Sequence, residues 1–148
     1  MDENNYRSTY REINNIPCVF EKGILQQCCR CRKAQHFNLA ERIGVACTDT
    51  GAQKLCREFV TTLREKSVFA LQLSSTENEK LPHAKEIKIQ CGGVLGLQEL
   101  PGAKTVDGDV HQLLHQALAD SNDMDILPYE LIVRSVVRFE GRKRRQKN

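Results

Sequence analysis

Apolar residues recur at helical spacing in three stretches of this chain. In the first, from residue 50 to about 73, Leu55, Cys56, Phe59, Val60 and Leu63 share one face. Arg57, Glu58, Arg64, Glu65 and Lys66 fall largely on the other. Thr50 followed by Gln53 has the form of a capping box, with the hydroxyl and the amide each satisfying a free N–H. The second stretch follows Asp109, a good N-cap, and carries Val110, Leu113, Leu114, Ala117 and Leu118. The third follows Pro128, which suits the first helical position. Its inner face is Leu131, Ile132, Ser135, Val136 and Phe139, although the β-branched Ile132, Val133 and Val137 keep a strand open there. A shorter helix is expected over residues 34–42.

A period of two appears in Glu86-Ile87-Lys88-Ile89-Gln90-Cys91. Gly92-Gly93 then reads as a two-residue turn and Val94-Leu95-Gly96-Leu97 as the returning strand, which together predict a β-hairpin. A buried helix over residues 94–100 is the competing reading, because short apolar runs fit either period. Residues 16–20 form another apolar run, with Pro17 confining it to an edge or a strand start. Residues 1–15 read as a flexible arm and residues 74–82 as a polar connector. The fold class expected is α+β: a small, mainly helical domain over residues 16–140, with a short antiparallel hairpin and a cysteine-rich, metal-binding N-terminal half.

Composition changes this picture in three ways. First, 148 residues suit one domain. With no Trp and 5% aromatic residues, its core must be largely aliphatic. Second, there is no run of about 18 apolar residues and no apolar stretch near the start, so neither a membrane helix nor a secretory leader is expected. The chain is therefore expected to be cytoplasmic, where thiols stay reduced. Third, the net charge of +3 hides an asymmetry. Arg142, Lys143, Arg144, Arg145 and Lys147 supply five cations in the last eight residues, and taking them from +3 leaves residues 1–140 at −2. A basic tail over residues 141–148 thus follows a slightly acidic body. Arg142, Lys143, Arg144 and Arg145 are the candidates for contact with an acidic partner or with nucleic-acid phosphates.

The chemistry-bearing feature is sulfur. Six of the seven cysteines, Cys18, Cys28, Cys29, Cys31, Cys47 and Cys56, lie within the first 56 residues, and Cys91 stands apart. An odd count fits poorly with a closed disulfide framework. Thiolates are ligands for zinc and for iron–sulfur clusters, and four complete either site. Cys28 and Cys31 have the C-x2-C spacing that lets two thiolates reach one metal from a tight turn. Cys47 and Cys56 supply a second pair, with Cys29 and Cys18 in reserve. Arg30, Arg32 and Lys33 favour the thiolate form and offset the charge of a four-thiolate complex.

Zinc knuckles place a Gly after the second Cys, and Arg32-Lys33-Ala34 stands there instead. Ligands dispersed over several elements suit an iron–sulfur cluster better than a zinc ribbon. A cluster is therefore the expected cofactor, with one zinc as the alternative. Cys28 and Cys29 admit a third, dithiol reading. His111 and His115 share a helix face, but Gln112 breaks the H-E-x-x-H signature. Gln90-Cys91-Gly92-Gly93 has no base fixed beside it, and no phosphate-cradling Gly-rich motif occurs. The sequence therefore points away from an enzyme. It points toward an iron–sulfur accessory, sensor or electron-transfer protein, or a subunit of a larger complex. The alternative is a zinc-stapled module touching a protein or nucleic acid through its basic tail.

Overall fold

A computed structural model describes residues 2–73, 80–103 and 108–141. Arg142, Lys143, Arg144 and Arg145 lie outside the described residues, so the tail's expected contacts are not addressed by the fold.

The chain begins with helix α1 (Glu3–Ile13), where a flexible arm was expected. Asp2 caps it by accepting from Asn5 N at 2.7 Å. Its far end is held by Tyr10, whose hydroxyl donates to Glu21 at 2.6 Å. Glu21 opens the short helix α2 (Glu21–Leu25) and also accepts from Val45 N at 2.8 Å. Ahead of α2, only Pro17 of the apolar run at residues 16–20 makes a bridge, to Ala46.

Residues 34–42 are not helical. They belong to the hairpin of β1 (Ala34–Leu39) and β2 (Arg42–Cys47), paired from Ala34↔Cys47 to Leu39↔Arg42. Ala40 and Glu41 turn the corner with φ of 49° and 67°, the left-handed pair that a two-residue hairpin requires. The helical reading rested on Phe37, Leu39 and Ala40 as its few apolar contacts. Phe37 instead lies across Gly44, its cross-strand partner, where any Cβ would come within 2.3 Å of the ring.

Helix α3 (Thr50–Lys66) forms where expected but stops earlier, at Lys66. Its cap is Asp49 rather than Thr50, with the carboxylate accepting from Ala52 N at 3.1 Å. Helix α4 (His83–Gln98) occupies the place of the expected second hairpin. The alternation over residues 86–91 was a coincidence of period, and the competing helical reading holds over a longer span than residues 94–100. Residues 89–94 are buried without a break, so this helix has no water-facing side there. Its glycines explain the packing. A Cβ at Gly92 would stand 2.5 Å from Val136 Cα, and one at Gly96 would stand 2.9 Å from Ile132 Cα. One turn apart, they let α4 lie directly on the backbone of α6 (Tyr129–Arg138).

Between these helices in the chain comes α5 (Val110–Ser121), capped as expected by Asp109, which accepts from Gln112 N at 3.2 Å. A 3-10 turn (Met124–Ile126) leads to Pro128, which caps α6 rather than filling its first turn. The core is largely aliphatic: Leu63, Ile89, Val94, Leu97, Leu113, Leu114, Ile132 and Val136 are each at most 2% exposed. Phe59 joins its two ends, with its ring 6.5 Å from that of Phe20 and 6.2 Å from that of Tyr129. The architecture is thus mainly helical with one two-stranded antiparallel sheet, consistent with α+β. Among the described residues, no helix is long and apolar enough to cross a membrane.

Candidate metal centre

Four cysteines, two from loop segments, one from β2 and one from α3, line one small, largely enclosed cavity. They are Cys18, Cys31, Cys47 and Cys56. Each position has a local cause. Cys18 precedes α2, and its N–H donates to Val45 O at 3.1 Å while Cys47 N donates to Ile16 O at 2.7 Å. These two bonds and the Pro17–Ala46 bridge lay the segment before α2 along β2, which sets Cys18 beside the end of that strand. Gln53 Nε2 then donates to Pro17 O at 3.0 Å, tying the same segment to α3.

Cys31 is held on both sides. Before it, Arg30 N donates to Gly108 O and Val110 N donates to Arg30 O, each at 2.8 Å. After it, Ala34 N donates to Cys31 O at 3.1 Å, and the N–H and hydroxyl of Thr48 both donate to Lys33 O. Asp109 takes part from two directions, since one oxygen caps α5 and the other accepts from Arg32 Nε at 3.2 Å. Cys47 ends β2 and donates through Sγ to Asp49 O at 3.2 Å. Cys56 lies on α3 one turn beyond Ala52, which lines the same cavity.

The remaining walls are mostly apolar, with Val19, Phe20, Ala34, Ala52 and Val110. Lys33 and His111 are the titratable groups besides sulfur. The volume is about 20 Å³, room for one water-sized body. Burial pushes the Cys18 and Cys56 thiols up to about 12, and neighbouring sulfurs add to the shift. A thiol in such a place stays neutral unless a cation replaces its proton. The backbone N–H of Phe20 works the other way, donating toward the Cys18 sulfur and favouring its thiolate. Burial, with help from His115 and Lys33, holds His111 below its ordinary value. Its ring centroid is 4.2 Å from that of His115.

Of the sulfurs singled out in the sequence, Cys31, Cys47 and Cys56 meet at this cavity. The fourth wall position is taken by Cys18, which spacing had placed in reserve. Cys28 does not line it, and Cys29 is buried next to it without lining it. Cys91 lies on α4, away from the four. His111 was missed as a neighbour of the thiols, because the Asp109–Arg32 contact that brings α5 toward them is long-range and has no signature in the sequence. As the side chains stand, no group of three or more His, Cys, Asp or Glu among the described residues could hold a metal ion. A surface depression of about 1120 Å³ lies elsewhere, lined mainly by α6 with Gly96 of α4 and Lys66 of α3, and carries no thiol.

No family model matches this chain, and no curated protein or solved structure does.

Proposed function

We propose that this protein carries a cysteine-ligated metal centre, first of all an iron–sulfur cluster, held by Cys18, Cys31, Cys47 and Cys56. The observation that supports this is the shared cavity: four cysteines, distant in sequence, line one largely apolar enclosure. Packing alone gives no reason to bring four thiols together, whereas cluster irons and zinc each take four. Ligation asks the thiols to turn inward from where they stand, and to exchange protons for metal. Lys33 at the wall and Arg32 beside Cys31 offset the negative charge that four thiolates bring.

The cluster reading rests on ligand dispersal. Structural zinc sites draw ligands in close C-x2-4-C pairs. The cavity's sulfurs are separated by 12, 15 and 8 residues. One observation favours a second reading, a single zinc: the cavity admits about one water-sized body. A cluster supplies one-electron chemistry or a response to oxidants, and a zinc would supply folding energy alone. In either case the protein acts through a partner, as an electron-transfer, sensing or stabilising subunit. The basic tail is then available for an acidic protein or for nucleic acid.

The test is anaerobic purification followed by iron, sulfide and zinc analysis, for the parent chain and for seven single Cys→Ser variants. The proposal expects iron and sulfide in equal amounts and a brown chain. Metal is lost on substitution of Cys18, Cys31, Cys47 or Cys56 and kept on substitution of Cys28, Cys29 or Cys91. One zinc per chain with the same mutational pattern selects the second reading. Metal that depends on Cys28 instead of Cys18 overturns the ligand set.

A further inference from the structure

Outside the cavity, two sulfurs meet at Gly23 and a third cysteine, Cys28, is tied to its backbone. A Cβ at that glycine would stand 3.0 Å from Cys29 Sγ and 3.4 Å from Cys91 Sγ, so both thiols occupy space that its missing side chain leaves. The backbone is pinned at the same place. Cys28 N donates to Gly23 O at 3.0 Å. Gly23 N donates to Gln90 Oε1 at 2.9 Å, and Gln90 is the neighbour of Cys91 on α4. The Cys28 side chain lies beside the Cys91 thiol and helps to hold its proton. Cys28 Sγ also donates to Gln26 O at 3.9 Å. Cys28 is half-buried, and Cys91 is 2% exposed. One thiol of the pair is thus within reach of solvent, and the other waits behind it.

We propose that Cys28 and Cys91 are an oxidation site that closes to an intramolecular disulfide, separate from the four-thiol cavity. The oxidant is a hydroperoxide, taken here as hydrogen peroxide. The Cys28 sulfur attacks one peroxide oxygen and the O–O bond breaks. This leaves a sulfenic acid on Cys28, and the other oxygen departs as water. The Cys91 sulfur then attacks the Cys28 sulfur, the S–O bond breaks, and a second water carries off the hydroxyl and the Cys91 proton. The two sulfurs give up two electrons in total and the peroxide accepts them. The bond would tie the segment between α2 and β1, which carries Cys31, covalently to the core helix α4. The proposal does not require the cavity to hold metal, since none of its four sulfurs takes part.

The experiment treats the purified protein with hydrogen peroxide, blocks free thiols, and maps tryptic peptides without reduction. The expected result is a dithiothreitol-sensitive link between the peptide carrying Cys28 and the one carrying Cys91. It should persist in Cys29→Ser and vanish in Cys28→Ser and Cys91→Ser. Should a variant fail to fold, fragment-ion sequencing of the linked parent peptide assigns the bond to Cys28 or Cys29 directly. A link from Cys91 to Cys29 overturns the proposal. So does a link from Cys28 to a cavity thiol, or a Cys91 that stays fully available for alkylation after denaturation.

Discussion

The two halves of this molecule solve the same problem with different materials. From α4 onward, helices bury aliphatic side chains against one another, and Gly92 and Gly96 let backbones approach where side chains would collide. Up to β2, the elements are short, with helices and strands of 5, 6 and 11 residues. They are joined by polar links such as Tyr10–Glu21–Val45 and Thr48–Lys33. Few large apolar side chains are buried there, chiefly Phe20, Ile24 and Val45. Cys29 is buried with them, and Cys18 and Cys31 pack half-buried against the same core. A region with so little apolar burial gains most from a bound ion, because ligation energy becomes folding energy. The contrast teaches that aliphatic packing holds the C-terminal helices, whereas short elements and polar links hold much of the N-terminal half.

The comparison breaks most severely at the residue shared by both halves. Phe59→Ala removes the ring between Phe20 and Tyr129 and should cost about 4 kcal/mol. In urea unfolding, both regions should lose stability together. If only one does, Phe59 is not the joint described here. Gly92→Ala acts on the helical half alone. Its new Cβ meets the α6 backbone, which cannot yield as a flexible side chain would, and the expected cost is about 3 kcal/mol. Hydrogen exchange should quicken in α4 and α6 while metal content is unchanged.

Asp109→Ala removes the α5 cap and the partner of Arg32 at one stroke. The cap contributes about 1 kcal/mol and the half-exposed ion pair little more. Its informative readout is the N-terminal half: a loosened Arg32 should weaken metal retention, and an unchanged metal content would detach Asp109 from the site.

The effect that starts smallest, near pH 8, is alkaline, and it grows steeply with pH. In the metal-free chain, burial raises Cys18, Cys29 and Cys56 from 9.0 to about 12. The unfolded chain therefore loses these protons first. Their contribution to stability is complete below pH 9 and drains away as pH rises toward 12, by about 0.4 kcal/mol per thiol already at pH 9. Tyr129 in the other half is raised from 10.0 to about 12 by burial and drains later, from pH 10. Metal loading should abolish the drain from Cys18 and Cys56, whose protons the metal has displaced, and leave the phenol's. Urea midpoints at pH 8, 9 and 10, with and without metal, check this.

What the sequence showed follows the same division. Helices α3, α5 and α6 were legible because each has one apolar stripe and a capping residue, and these local signals agree. Helix α4 was not, since a helix buried on all sides has no stripe, and Gly92-Gly93 is as good a turn as it is a helix–helix contact. The β1–β2 hairpin was hidden by the left-handed turn at Ala40-Glu41, which lacks the Asn or Gly that usually announces one. At the candidate site, the gathering of sulfur in the first 56 residues was visible but its membership was only partly so. C-x2-C spacing drew attention to Cys28, a local signal. Cys18 reaches the cavity through its long-range pairing along β2, which no spacing rule records.

The central claim is that one metal centre is surrounded by sulfur alone. X-ray absorption at the iron and zinc edges, on protein purified without oxygen, measures this directly. The account predicts a first shell of sulfur at about 2.3 Å with iron neighbours beyond it for a cluster, or four sulfurs at the same distance around a lone zinc. A shell containing oxygen or nitrogen contradicts it, as does a folded chain with no stoichiometric metal and seven titratable thiols.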